Sequence, residues 1–392
     1  MRSATESEAG AEVDTHDACA AALHRKLERP DRVRAGRVTV RKMTVVVAVA
    51  ALLAAACSSG GGSKASSSTT AKSTGSSSAR TTDLKLDPGK NYGNKYANGI
   101  LPVGDSRYVT DTPKKGSVYL CRAPQGEAGG AQERLPWFIN NGTEYDINKK
   151  VAVEGDVKWD ASYSETVNGG NRVVMTNDVP RDHGTGVFPV QPSDPASQYD
   201  RNPNQIQSQS LTYTLPAEPT VASKPSCVSG EVGVMMTGVA LFDAFDAGGR
   251  DAGAWEVQDG CNGHPQITSE YHYHTLSSCI HDTSVNTVIG FALDGFPITG
   301  PKVGDGNILT TSDLDECHGI TSTITLDGKQ VETYHYVMTQ DFPYSASCFR
   351  AQATRPPGQP AGQGGQAGAQ GQGGPPGQGG PPGQSGPAGP PG

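Results

Sequence analysis

Between residues 83 and 350 the apolar positions come in short runs, not in long helical stripes. GSVYLC (116–121), KKVAVEG (149–155), NRVVMTN (171–177) and QSLTYTL (209–215) are β-branched or aromatic at their centres. Gly, Pro, Asn and Asp bound these runs, which is how short strands separated by turns read. Nowhere do apolar residues hold a three-and-four spacing between helix caps over a long stretch. The pattern predicts an all-β or β-rich α+β domain over 83–350.

Self-comparison sharpens this. VGVMMTGVALF (Val232–Phe242) lines up with IGFALDGFPIT (Ile289–Thr299), DGCNGH (259–264) with DECHG (315–319), and EYHYH (270–274) with TYHYV (333–337). Each block closes on a cysteine, Cys279 or Cys348. The expectation is a pseudo-symmetric internal repeat, 232–279 and 289–348, within a duplicated part 229–350 that follows an N-terminal β part, 83–228.

The ends differ in composition. Met43–Ala56 is apolar, follows Arg41-Lys42 and stops at Cys57. A basic flank, a short apolar core and small residues before the cut describe an export signal, too short to span a bilayer. It resembles a bacterial lipoprotein signal, so 1–56 reads as a signal region with the true start near 38–43, and Cys57 as a lipidated first residue. Ser, Thr and Gly dominate 57–82, a flexible tether. From Gly362 every third residue is Gly, the register of a collagen triple helix. The end of the chain, 351–392, reads as a disordered, wall-spanning tail, with a homotrimeric stem as the alternative. The whole is placed outside the cytoplasmic membrane, held there by lipid.

Net charge is −8 and the foldable region carries no basic block, which argues against nucleic acid as a partner. Six cysteines remain beyond Cys57: Cys121, Cys227, Cys261, Cys279, Cys317 and Cys348. An even count in an oxidising compartment implies three disulfides. Fifteen pairings exist; a pair within each repeat favours Cys261–Cys279 and Cys317–Cys348, leaving Cys121–Cys227.

Histidines concentrate between 264 and 335. In a strand, YHYH puts Tyr271 and Tyr273 on one face and His272 and His274 on the other, roughly 7 Å apart at Cα. His335 alternates with its tyrosines in the same way, and His264 or His318 is placed to add a donor. With the thiols in disulfides, imidazoles favour copper, with zinc as the alternative. Asp259, Asp294 and Asp315, with Glu270 and Glu316, stand near as carboxylate partners, His272–Asp294 being one acid–base pairing. His281 reads as a surface residue.

These segments, CNGHPQITSEYHYH, GFALDGFPITGP, LDECHG, YHY and DFPYSASCFR, resemble the YHYH-domain family over roughly 100–350. The resemblance implies a secreted or membrane-attached protein and extends the candidate ligands to His183, beside His264, His272, His274, His318 and His335. Two positions depart from the family pattern, Val337 and Ile320, where His is common. Separate sites in the two copies would make the first the functional one. A single shared site would draw on His183, His264, His272, His274 and His335. Three functions follow as expectations: binding of a transition metal, copper first; an envelope hydrolase or copper oxidase using the same His and Asp; or a non-catalytic surface module in which they form a hydrogen-bond network.

Overall fold

The computed structural model describes residues 84–358 except Ala128. The signal region, Cys57, the tether to residue 82 and the Gly-rich repeat lie outside the described residues. Those described are strand-rich, with one four-residue helix, α1 (Ala252–Trp255), and three 3-10 turns. The β reading therefore holds.

Two sheets dominate. The smaller is an antiparallel meander of β1 (Tyr163–Asn168), β2 (Asn171–Thr176) and β3 (Leu211–Pro216). The larger has eight strands: β4 (Glu231–Met235), β5 (Ala240–Phe242), β6 (Gly263–Pro265), β7 (Tyr271–Tyr273), β8 (Val288–Ala292), β9 (Pro297–Thr299), β10 (Gly319–Leu326) and β11 (Lys329–Val337). Their spatial order is β6-β7-β5-β4-β8-β9-β11-β10. β4 is buried along its whole length, which explains why its sequence is apolar at nearly every position and does not alternate. Val174, Tyr213 and Leu215 of the meander share one apolar cluster with Val232, Val234, Phe291 and Ile298 of the large sheet.

Outward from the β4–β8 seam, the pairing reads the same in both directions. β4 pairs β5 antiparallel, β5 pairs β7 parallel and β7 pairs β6 antiparallel; β8, β9, β11 and β10 repeat that sequence of pairings. At the seam Gly233 opposes Ala292, Val234 opposes Phe291 and Met235 opposes Gly290.

The turn ahead of β6 and the turn ahead of β10 also share their bonds. Asp259 accepts from Cys261 N, Gly263 N and the Tyr271 hydroxyl; Asp315 accepts from Cys317 N, Gly319 N and the Tyr334 hydroxyl. Asn262 and His318 take the left-handed position, at φ 64° and 72°. Asn tolerates that region well, a bulkier residue less so. Gly263 has no freedom to change, since a Cβ there would lie 2.2 Å from the Tyr271 ring.

The disulfides are Cys121–Cys227, Cys261–Cys279 and Cys317–Cys348, the pairs expected from the two blocks. One strand expectation fails. KKVAVEG is no strand: Val153 N donates to Gln258 O at 2.9 Å and bridges to Asp259, and Glu154 O accepts from Val187 N at 2.9 Å, but these go to different segments and form no ladder. The segment braces the turn before β6 instead.

Candidate metal centre

The register of β6 against β7 sets His264 directly opposite His272. Alternation along β7 carries its own result: Tyr271 and Tyr273 go into the core, their rings 5.7 Å apart, while His272 and His274 share the other face, their rings 4.9 Å apart. One nitrogen from each of His264, His272 and His274 lies within 4.8 Å of the others. Phe242 of β5 covers His272, ring to ring at 4.3 Å.

A fourth donor arrives from α1. The helix is held by Trp137, whose indole donates to Ala254 O at 2.9 Å, and Ala254 and Val257 pack in the same apolar cluster as Trp137. Glu256, at the end of that helix, is thereby delivered to the histidines. Its Oε2 is 3.2 Å from His264 Nε2 and 3.4 Å from His274 Nε2. All four residues are buried, at 7 % exposure or less.

Proton placement follows from the outer contacts. His272 Nδ1 faces the Glu270 carbonyl at 3.2 Å, and His274 Nδ1 faces the Asp243 carbonyl. A carbonyl only accepts, so each Nδ1 carries the hydrogen and each Nε2 keeps its lone pair. Those two Nε2 atoms are 3.1 Å apart. In the neutral forms, neither has a proton to offer the other. Glu256 Oε2 and His264 Nε2 are close, yet neither finds a hydrogen-bond partner of sound geometry. Four donor atoms thus converge with their bonding capacity unspent.

Electrostatics agree with that packing. Burial, reinforced by the neighbouring imidazoles, holds His272 well below the usual histidine range. Burial also lowers His274, against the pull of Glu256. His264 goes the other way: burial opposes its charge, but Glu256 beside it raises it. Glu256, despite burial, is brought down to about 2 by His264 and His274. Without a cation, the Glu256 carboxylate lies beside His264, whose charged form it favours, and beside two imidazoles whose charging burial disfavours.

The remaining candidates are elsewhere. His183 Nδ1 donates to Gly184 O at 2.8 Å and its Nε2 accepts from the Tyr273 hydroxyl at 2.6 Å, on the other face of β7; the cysteines near it are disulfide-bonded. His318 Nε2 meets Thr339 Oγ1 at 3.0 Å. His335 sits between Thr299 Oγ1 (2.9 Å) and Ser322 Oγ (2.7 Å). No shell drawing on both His blocks forms. The register explains it: Ile320 opposes His335 where His264 opposes His272, and Val337 follows Tyr336 where His274 follows Tyr273. The second half lacks the two donors that would complete a cluster.

Nor do the expected carboxylates meet imidazoles. Asp259 and Asp315 hold their turns, and Asp294 accepts from the Tyr336 hydroxyl and from Arg350 N and Ala351 N. The proposed His272–Asp294 pair is absent because Asp294 is saturated on the far side of the sheet order. Glu256 is the residue that spacing did not reveal. A lone acid in the apolar run AGAWEV was its only signal.

His335 gives a pH prediction. Burial holds it down to about 4, against 6.5 ordinarily. Between those values the unfolded chain takes up a proton that the folded chain refuses. The contribution is complete above pH 6.5 and is lost as pH falls towards 4, by about 1.4 kcal/mol per unit. Relative to a His335→Gln variant, the wild type should lose roughly 3 kcal/mol between pH 7 and pH 4 in denaturant titrations. Parallel curves for the two proteins would show that His335 titrates normally.

Residues 212–308 match the model of a family described as YHYH protein. That stretch contains all four converging donors and ends before His318 and His335. No curated protein and no solved structure matches the chain significantly.

Proposed function

We propose that the YHYH domain of this chain binds one divalent transition-metal ion through His264, His272, His274 and Glu256. The protein would work as a metal-binding or redox-accessory protein of the cell envelope, anchored by lipid at Cys57. One observation carries the reading: two imidazoles with their hydrogens committed to carbonyls aim bare Nε2 atoms at each other across 3.1 Å. Two lone pairs so placed repel, and a cation between them reverses the sign.

The distances suit such an ion. Bonds of roughly 2.0–2.1 Å in tetrahedral array space their donors about 3.3 Å apart. Three of the donor separations here are 3.1, 3.2 and 3.4 Å. Three imidazoles and a carboxylate suit copper(II) and zinc(II), and copper(II) binds the tighter of the two. Met235 and Met338 are core residues of the main apolar cluster, so a thioether site for copper(I) gains no support. Four protein donors, all buried, make a closed site. That weighs against a hydrolase or oxidase, which needs an open position for substrate.

Equilibrium dialysis against copper and zinc, followed by metal analysis, tests the proposal. The oxidised wild-type protein should retain about one equivalent, His272→Ala less than about a tenth, and His335→Ala about one. Retention below about a tenth by the wild type for both metals would refute it.

A further inference from the structure

A second convergence of donor atoms lies on the other face of β7 from His272 and His274. One ring nitrogen of His183 and the sulfurs of Cys261 and Cys279 all lie within 4.8 Å of one another. In the oxidised chain the two sulfurs are spent on each other. Their positions do not depend on that bond alone. Across it, Ser278 N donates to Asn262 Oδ1 at 3.1 Å and Ser278 Oγ to Gly260 O at 2.6 Å. Asp259 holds Cys261 N at 2.9 Å and, with its other oxygen, Gly186 N at 2.9 Å. The turn that carries Cys261 thus anchors the segment that carries His183. Breaking the S–S bond leaves two thiols and an imidazole on segments that are still joined. Cys279 is half-buried, which gives a reductant and an ion a way in.

The imidazole is prepared as well. Its Nδ1 hydrogen goes to Gly184 O, leaving the Nε2 lone pair, which accepts from the Tyr273 hydroxyl at 2.6 Å. That phenol has another outlet. The hydroxyls of Thr237 and Ser277 stand beside it, and Thr237 Oγ1 is buried without a partner. Turning the phenol hydrogen to Thr237 frees Nε2 and satisfies an orphan oxygen. Two thiolates and one imidazole are a donor set for zinc(II), whose charge the two thiolates balance and whose fourth position water fills.

We infer that the reduced form of this chain binds zinc(II) through Cys261, Cys279 and His183, so that the disulfide is a redox-controlled lock on a second metal site. A dithiol reductant supplies the step: the S–S bond breaks, two electrons and two protons pass to the cysteines, and the reductant closes its own disulfide. Zinc then displaces the two thiol protons as two Zn–S bonds form. Cobalt(II) is the probe, because sulfur bound to it absorbs where imidazole and carboxylate do not. The four-donor centre contains no sulfur and stays silent, so the test stands whether or not that centre takes metal. Protein reduced with dithiothreitol and desalted without oxygen should develop a saturable sulfur-to-cobalt band that zinc bleaches, and the oxidised protein none. His183→Ala should weaken the cobalt affinity at least about tenfold, since losing even an outer partner of a ligand costs that much. The double variant Cys261→Ser, Cys279→Ser should lose the band although Cys121 and Cys227 remain. No band, an equal band in the double variant, unchanged affinity in His183→Ala, or loss of the fold's near-ultraviolet dichroism on reduction would each overturn the inference.

Discussion

Saturating copper(II) or zinc(II) should raise the melting temperature of the metal-stripped, disulfide-intact protein by about 10 °C. A ligand at a thousand times its dissociation constant adds about 4 kcal/mol to the folded state. For a domain of this size each kcal/mol moves the midpoint by about 2–4 °C. Glu256→Gln keeps the shape of the site but removes its anion, and the metal-induced shift should then fall below about a third of wild type. The pH dependence has a definite sign. Glu256 raises His264 above its ordinary value, so the incoming ion must displace a proton there. The shift is complete above that raised value and shrinks as pH falls through it. In Glu256→Gln the loss should begin at lower pH. Scanning calorimetry at pH 5.5 and 8, with and without metal, reads all of this. Equal melting temperatures with and without metal at pH 8 would remove the metal from the account.

Asp259→Ala should cost the fold at least about 4 kcal/mol, because three buried N–H groups and a phenol lose their acceptor and each orphan costs about 1–3 kcal/mol. The carboxylate takes Gly186 N at 2.9 Å, Cys261 N at 2.9 Å, Gly263 N at 3.1 Å and the Tyr271 hydroxyl at 2.9 Å. Tyr271→Phe breaks only the last of these and should cost about 1 kcal/mol. The contrast separates a turn organised by its acceptor from a turn that merely contains one. Urea denaturation of both variants decides it; costs within about 1 kcal/mol of each other would show that Asp259 is not the organiser.

Much of this arrangement was legible before any coordinates. Short β-branched runs gave the strand content, and the paired blocks gave the disulfides. The two-residue period of YHYH put His272 and His274 on one face, and the structure keeps them there. The failures have a common cause. Spacing says which residues share a face, not what stands opposite. His335 meets two hydroxyls, Thr299 on a strand 36 residues away and Ser322 on the other strand of its own hairpin. Asp259 is nearer to the cysteine and the histidines in sequence than Glu256, yet its oxygens are spent on the turn. Glu256 reaches the site on a short helix that Trp137, more than a hundred residues earlier, helps to fix.

The Cys261–Cys279 disulfide spans 18 residues, and His264, His272 and His274 all fall within that span. Crosslinking a loop of about that size removes roughly 3 kcal/mol of disorder from the unfolded chain. Three of the four donors are therefore tethered in one covalent ring, at high effective concentration, before the sheet around them exists. Under the metal binding proposed above, thiol oxidation and metallation would become ordered events: an oxidised but unfolded chain would already be a loose chelator, and a reduced one would have to gather its imidazoles unaided.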